Sequence, residues 1–242
     1  MEAILETFNL TKRFKGLTAV DRLDLRVNRS EIHGLIGPNG SGKSTTINLL
    51  TGFLSPSEGE IRLEGKNVQF LSAHRRARLG LVRTFQEPSV FASLTVEENL
   101  RIAASHAEGK GTAFEVGETL ALIGLLPKKN MAAGNLSYGE QKLLDVARVS
   151  LLQPSVLLLD EPGAGLSGPE KEKLLVLIKK LKKRGCAILF SEHDVGFVMG
   201  VCDRITVLNF GSKICEGTPE EVRRNPQVIE AYLGGSYEHA VG

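Results

Sequence analysis

Residues 37–44, GPNGSGKS, set Lys43 behind three glycines, a proline and an asparagine, and the hydroxyls of Ser44, Thr45 and Thr46 follow at once. A stretch this small and polar gives up packing, so something else must fill the space beside it. Its fixed positions match G-x-x-x-x-G-K-[ST] throughout, with an apolar run before it and an amphipathic run after it. In that pattern the glycines let the chain curl with its N–H groups turned inward, and the following helix N-terminus adds positive potential. Gly37, Pro38, Asn39, Gly40, Ser41 and Gly42 then cradle nucleotide phosphates. Lys43 reaches the β- and γ-phosphates, Ser44 offers its hydroxyl to Mg²⁺, and Thr45 completes the ATP-binding stretch. A second candidate is VLLLDE, Val156 to Glu161, an apolar run that delivers two acids at the end of a strand, where ligands of α/β sheets bind. Asp160 is suited to hold Mg²⁺ through its water shell, and Glu161 to polarise an attacking water.

Elements must position these groups, and the chain reads in three parts. Residues 1–86 alternate short β-rich runs with turns, among them AILETFNL, LDLRV, EIHGLIG and GEIRLEG. Residues 87–151 carry helical patterns, TVEENLRIAASHA and VGETLALIGLL, with Gly109 and Gly111 between them. From 152 onward strands return in SVLLLDEP, CAILFSEH and RITVLNFG, separated by PEKEKLLVLIKKLKKRG, whose Leu174, Leu177, Ile178 and Leu181 share one helical face. Its terminal Lys179, Lys180, Lys182, Lys183 and Arg184 read as a solvated face that suits the helix dipole. Thr218, Pro219 and Glu221 form a capping-box start, and Asn225-Pro226 opens a last helix that Gly234 is placed to close. Strand–helix alternation at both ends of a helical insert predicts an α/β core carrying a helical subdomain.

Composition narrows the classes. Across 242 residues, 30 Lys and Arg face 28 Asp and Glu, a net charge of +2, which is not the basic footprint of a nucleic-acid binder. Hydrophobic residues make 42% and charged residues 24%, an ordinary globular balance. No apolar run approaches the roughly 20 residues needed to span a bilayer, and no signal peptide is read at the start. Cys186, Cys202 and Cys215 fit no metal spacing and read as reduced thiols.

LSYGEQ, Leu136 to Gln141, decides among the ATP-binding machines. Ser137 is a helix N-cap, and with Gly139 it makes an anion site at a helix start. The stretch resembles the LSGGQ signature of ABC ATPases, with Tyr138 in place of the first glycine and Glu140 before Gln141, and the chain is identified as similar to an ABC transporter ATP-binding subunit over essentially its full length. The resemblance implies a P-loop NTPase (RecA-like) core with an N-terminal antiparallel β subdomain and an inserted helical subdomain, 87–151, within one nucleotide-binding domain. It implies that Leu136, Ser137, Tyr138, Gly139, Glu140 and Gln141 act in trans on a partner subunit's ATP in a head-to-tail dimer. Gln86 in TFQEP resembles the Q-loop glutamine that ligates Mg²⁺. His193 in FSEHDV resembles the switch histidine that contacts the γ-phosphate and orients Glu161, and Phe14 resembles the aromatic that stacks on adenine. GAGLSG stands where the family often has SALD, so Ser167 replaces the aspartate through which the two sites communicate.

RTFQ, LTVEENL, LSYGEQ, NFG and the ending GTPEEVRRNPQVIEAYLGG resemble the ATPase subunits of importers for branched-chain amino acids and, similarly, urea or amides. That group implies integral membrane permease subunits as partners, a solute-binding protein beyond them, no nucleic acid, and a cytoplasmic chain held peripherally on the membrane's inner face. Pro88, Val90, Phe91 and Leu94, just beyond Gln86, are read as the permease-docking patch. The other readings are the ATPase of a lipopolysaccharide-type exporter and a soluble ABC ATPase without a membrane partner.

Overall fold

Two sheets share the chain, and burial along their strands explains why they differ. The computed structural model describes residues 2–106, 113–192 and 194–233. The first stretch gives β1 (Ala3–Phe14), β2 (Leu17–Leu23), β3 (Arg26–Asn28), β4 (Ile32–Ile36) and α1 (Lys43–Thr51). Next come β5 (Glu58–Leu63), β6 (Lys66–Asn67), α2 (Ala73–Arg78) and β7 (Leu81–Arg83). The helices α3 (Val96–His106), α4 (Ala113–Leu122) and α5 (Tyr138–Ser150) precede β8 (Val156–Asp160), α6 (Gly168–Lys183) and β9 (Ala187–Ser191). The chain closes with α7 (Val195–Val201), β10 (Arg204–Asn209), β11 (Ser212–Gly217), α8 (Pro219–Arg224) and α9 (Pro226–Leu233).

Strands β2-β1-β5-β6 form one sheet with β3 against β1, antiparallel throughout. In β5 the buried Ile61 and Leu63 alternate with half-exposed Glu60 and Arg62, the pattern of a sheet wet on one face. The second sheet runs β11-β10-β4-β9-β8-β7 and is parallel except for the β10–β11 hairpin. Its central strands are buried on both faces. Leu157, Leu159, Ile188 and Phe190 join one apolar cluster with residues of α3 to α6, whereas Val156, Leu158, Ala187 and Leu189 join another with α1 and the antiparallel sheet. The period-two alternation of strand side chains thus cements helices α3 to α6 to one side and α1 with the antiparallel sheet to the other. The fold is an α/β P-loop NTPase core with an antiparallel β subdomain and an inserted set of helices.

Register then sets the functional edge. Asp160 of β8 and Leu35 of β4 both pair with Ser191 at the end of β9, so the strands leading to the glycine loop and to the acid pair finish side by side.

Several local expectations hold. The buried residues of α6 are Leu174, Leu177, Ile178 and Leu181, while Lys180 and Lys182 point outward to Glu118 and Asp203. Thr218 and Glu221 form the capping box of α8, and Pro226 opens α9. Gly109, Gly111 and Gly234 lie outside the described residues. Strands β2 and β7 and helix α2 were not evident in the sequence. At three residues β7 is too short to display periodicity, and only its pairing with β8 defines it.

Candidate functional site

Strand β4 ends at Ile36 and the chain turns through residues 37–42 into α1. Gly42 is the helix N-cap with φ +103°, and a Cβ there would lie 2.5 Å from the carbonyl oxygen of Ala19, so only glycine fits. A Cβ on Gly37 would overlap the Leu208 carbonyl oxygen. The tip of the β10–β11 hairpin braces the loop, because Gly211 N–H donates to Ser41 O at 3.0 Å and Gly211 O accepts from Asp21 N–H at 2.9 Å. Lys43 is 7% exposed and folds back on its own loop, donating to Gly37 O at 2.7 Å and Pro38 O at 3.1 Å. Burial lowers its pKa, while Glu161 and Asp160 act in the opposite sense. Ser41 is buried with its hydroxyl unpartnered, and so is the Thr46 hydroxyl one helical turn into α1.

Above the loop lies a cleft of about 430 Å³, lined by residues 39–45, by Glu161 and, on its outer wall, by Phe14. Phe14 is 42% exposed, with the Lys12 ammonium 5.1 Å from its ring centre. A glycine loop at a helix start, an orphaned hydroxyl and an aromatic wall suit a nucleotide, whose phosphates would replace the two carbonyls that now hold Lys43.

The acid pair is held from several sides. Asp160 accepts Ser191 Oγ–H on Oδ1 at 2.6 Å and Arg83 on Oδ2 at 3.2 Å. Glu161 has a left-handed backbone, φ +49°, uncommon for a residue with a Cβ. Gln86 Nε2–H donates to its Oε2 at 3.2 Å. Its carbonyl accepts from Lys142 Nζ at 2.7 Å, and the same ammonium donates to Ala164 O at 2.8 Å. Lys142 is 4% exposed and its pKa is lowered by burial, against the opposing pull of Glu192, Glu161, Glu87 and Asp160. Glu192, also buried, accepts Gly163 N–H at 2.6 Å. Sequence reasoning missed Lys142, Glu192 and the contact of Arg83 with Asp160; within RTFQ it singles out Gln86 alone as a site residue. His193 lies outside the described residues.

Ser44 is exposed at the rim, so its hydroxyl, the Asp160 carboxylate and the Gln86 side chain offer hard oxygen donors. Among the described residues no cluster of three or more His, Cys, Asp and Glu could cage a metal. Mg²⁺ does not require one, since it keeps waters and takes one or two carboxylates beside substrate phosphates. The donor set therefore fits Mg²⁺ arriving with a nucleotide.

Leu136 is buried, and after it α5 begins at a capping box. Ser137 Oγ accepts Glu140 N–H, and Glu140 also accepts Lys128 Nζ at 2.6 Å. Gln141 Nε2–H turns back to Leu136 O at 3.0 Å. Tyr138 is 44% exposed. Gly139 has no room for a Cβ, because the Glu170 carboxylate occupies that space. No residue of 136–141 lines the cleft over Lys43. Ser167 caps α6, with its N–H and O–H both donating to Glu170 at 2.8 and 2.7 Å.

A glycine loop opening a helix, two acids ending a nearby strand and a helical insertion define an ATP-binding cassette with a P-loop fold. The ABC transporter family matches residues 20–164, and the family described as branched-chain amino acid ATP-binding cassette transporter matches residues 212–238. The chain is similar to BraF of Pseudomonas aeruginosa, a high-affinity branched-chain amino acid transport ATP-binding protein, with 42% identity over 96% of this chain and 98% of BraF. It is similar in structure to the ADP conformation of MJ1267, an ATP-binding cassette of an ABC transporter, with TM-score 0.85 and 31% identity over 97% of this chain and 100% of that one. A dimeric post-hydrolysis state of the cassette MJ0796, bound to ADP and Pi, shares TM-score 0.78 and 25% identity over 89% of this chain and 99% of that one. The chain belongs to the ABC transporter family, as one of its ATP-binding cassette ATPases.

Proposed function

We propose that this chain hydrolyses Mg²⁺-ATP to power a membrane importer of branched-chain amino acids. The single observation that carries the chemistry is the meeting of Lys43, Asp160 and Glu161 at one edge of the sheet, beside a cleft walled by Phe14. The cargo rests on the C-terminal family match and the full-length similarity to BraF, which favour branched-chain amino acids over urea or amides. Nothing comparable favours an exporter or a soluble cassette.

In this reading the whole chain is one nucleotide-binding domain, with core 1–86 and 152–242 and helical subdomain 87–151. Phe14 stacks on the adenine. Lys43 exchanges its two carbonyl partners for phosphate oxygens, and the loop N–H groups receive the rest of that charge. Ser44, Gln86 and Asp160 would hold Mg²⁺, which when bound would supply charge neutralisation at the phosphates. Glu161 orients the attacking water and His193 contacts the terminal phosphate. Ser137 and Gly139 sit away from the chain's own cleft, which supports their use on a partner's nucleotide in a head-to-tail dimer.

Among the described residues no helix is long and apolar enough to cross a membrane. The chain then meets its permease peripherally, at the cytoplasmic face, and the solute-binding protein only indirectly. Phe91, 44% exposed beyond Gln86, is the centre of that docking patch.

Replacing Glu161 by Gln tests the assignment. The variant should bind ATP as the wild type does while turnover falls on the order of 10²–10⁴-fold. Hydrolysis near the wild-type rate would falsify the role of Glu161.

A further inference from the structure

The guanidinium at the end of β7 is held more tightly than a strand terminus needs. Arg83 NH2 meets Asp160 Oδ2 at 3.2 Å, with the two side chains 9% and 12% exposed. Its NH1 donates to Asn48 Oδ1 of α1 at 2.6 Å and its Nε to Thr84 O at 3.1 Å. The rings of Phe85 and Phe53 lie 4.6 and 5.4 Å from its central carbon and meet each other edge to face. Three edges and the neighbouring aromatic surfaces are therefore engaged at once. Such a site requires the planar fork of arginine, a group that stays charged at any working pH.

The partner of this fork is what makes it interesting. Asp160 and Glu161 are adjacent carboxylates at a strand end that opens on water, and a bare pair of that kind attracts hard divalent cations. Here Asp160 is already bonded through both oxygens, to Ser191 and to Arg83. Lys43 supplies a second cation within the field of both acids. Arg83 and Lys43 thus offset the charges of the two acids within the chain. Arg83 is also anchored to Asn48 of α1 and to Thr84 just beyond its strand, contacts that hold the guanidinium in place beside Asp160.

We propose that Arg83 is a positioning residue that fixes the Asp160 carboxylate and neutralises it, so that the edge binds a divalent cation strongly only when nucleotide phosphates bring further negative charge. Metal binding becomes conditional on nucleotide. The inference rests on the proposed assignment of Asp160 to Mg²⁺. A purely structural bridge between α1 and β8 predicts something different, namely lost stability with no gain in metal affinity.

The two accounts separate in the nucleotide-free, full-length protein titrated with Mn²⁺, with free Mn²⁺ followed by electron paramagnetic resonance. Arg83→Gln should bind Mn²⁺ on the order of 10-fold more tightly than wild type, since one positive charge beside the carboxylate has gone. The double variant with Asp160→Asn should lose that gain. Arg83→Lys keeps the charge without the fork and should gain only about 3-fold. Unchanged or weaker binding in Arg83→Gln overturns the proposal. Should that variant not fold, Arg83→Lys decides in the same way, because unchanged or weaker binding overturns and tighter binding supports. The nucleotide reading is checked separately with wild type and Asp160→Asn in the presence of ATP. If Asp160→Asn leaves Mn²⁺-ATP binding unchanged, the metal role of Asp160 fails along with the inference. If it weakens that binding while Arg83→Gln gains nothing, the inference alone fails.

Discussion

The edge formed by β4, β8 and β9 and the start of α5 hold their polar groups by opposite strategies. At the sheet edge, Lys43, Asp160 and Glu161 are held by the chain's own carbonyls, hydroxyls and cations. At the start of α5, the Ser137 hydroxyl serves only its own helix, and Tyr138 stands exposed beside it. One region has its charges balanced before any ligand comes. The other is an intact helix terminus outside the cleft at Lys43. The contrast separates a cleft-lining group within the chain from a helix start that lies outside that cleft and that we propose acts on a partner's nucleotide.

The sharpest way to break the comparison is a mixture. Lys43→Ala removes the cation facing the phosphates and should weaken ATP binding by roughly 10²-fold or more. Ser137→Arg should leave ATP binding to the isolated chain unchanged while abolishing turnover. Mixing the two chains creates dimers in which one composite site carries both lesions and the other none. ATPase activity above that of either variant alone supports use in trans, and no recovery at any ratio sinks it.

A smaller effect is expected where the two regions touch. Lys142 belongs to α5, yet its ammonium holds the carbonyls of Glu161 and Ala164. Lys142→Met should reduce kcat roughly 10- to 100-fold with KM unchanged, because Glu161 is displaced while the phosphate cradle is untouched. A matching rise in KM would mean that the cradle itself had moved. The smallest intrinsic effect belongs to Phe91, whose ring lies 5.0 Å from the Arg148 guanidinium. Phe91→Ser should cost about 1 kcal/mol or less in stability, the scale of one exposed cation–π contact. Permease association and ATP-coupled uptake should nevertheless weaken. Normal assembly and uptake would place docking elsewhere.

How much of this could be read from residues alone follows a physical divide. The glycine loop was legible because φ +103° at Gly42 and the close approach of Ala19 demand glycine at a fixed place before Lys43. The cap at Ser137 was legible because its partner, Glu140, is three residues away. Lys142 and Arg83 were not, since their partners stand 19 and 77 residues off, and only the tertiary placement of α5 and the pairing of β7 with β8 bring them together. A lysine inside an amphipathic helix looks like any solvated lysine until the loop it caps is placed. Ser167 shows a further case, in which a departure from the family pattern is explained by the start of α6 that it caps.

The hairpin tip at Gly211 has a mechanical consequence. By bonding to Ser41 and Asp21 together, it rivets the phosphate loop to the sheet that carries Phe14. If the proposed nucleotide site is right, the wall at Phe14 and the loop at Lys43 should behave as a single stator, joined through this tip. A stroke would then be expected on the side where Gln86 leads into α3, α4 and α5. ATP would act there as a clutch that engages a moving part against a frame that stays still.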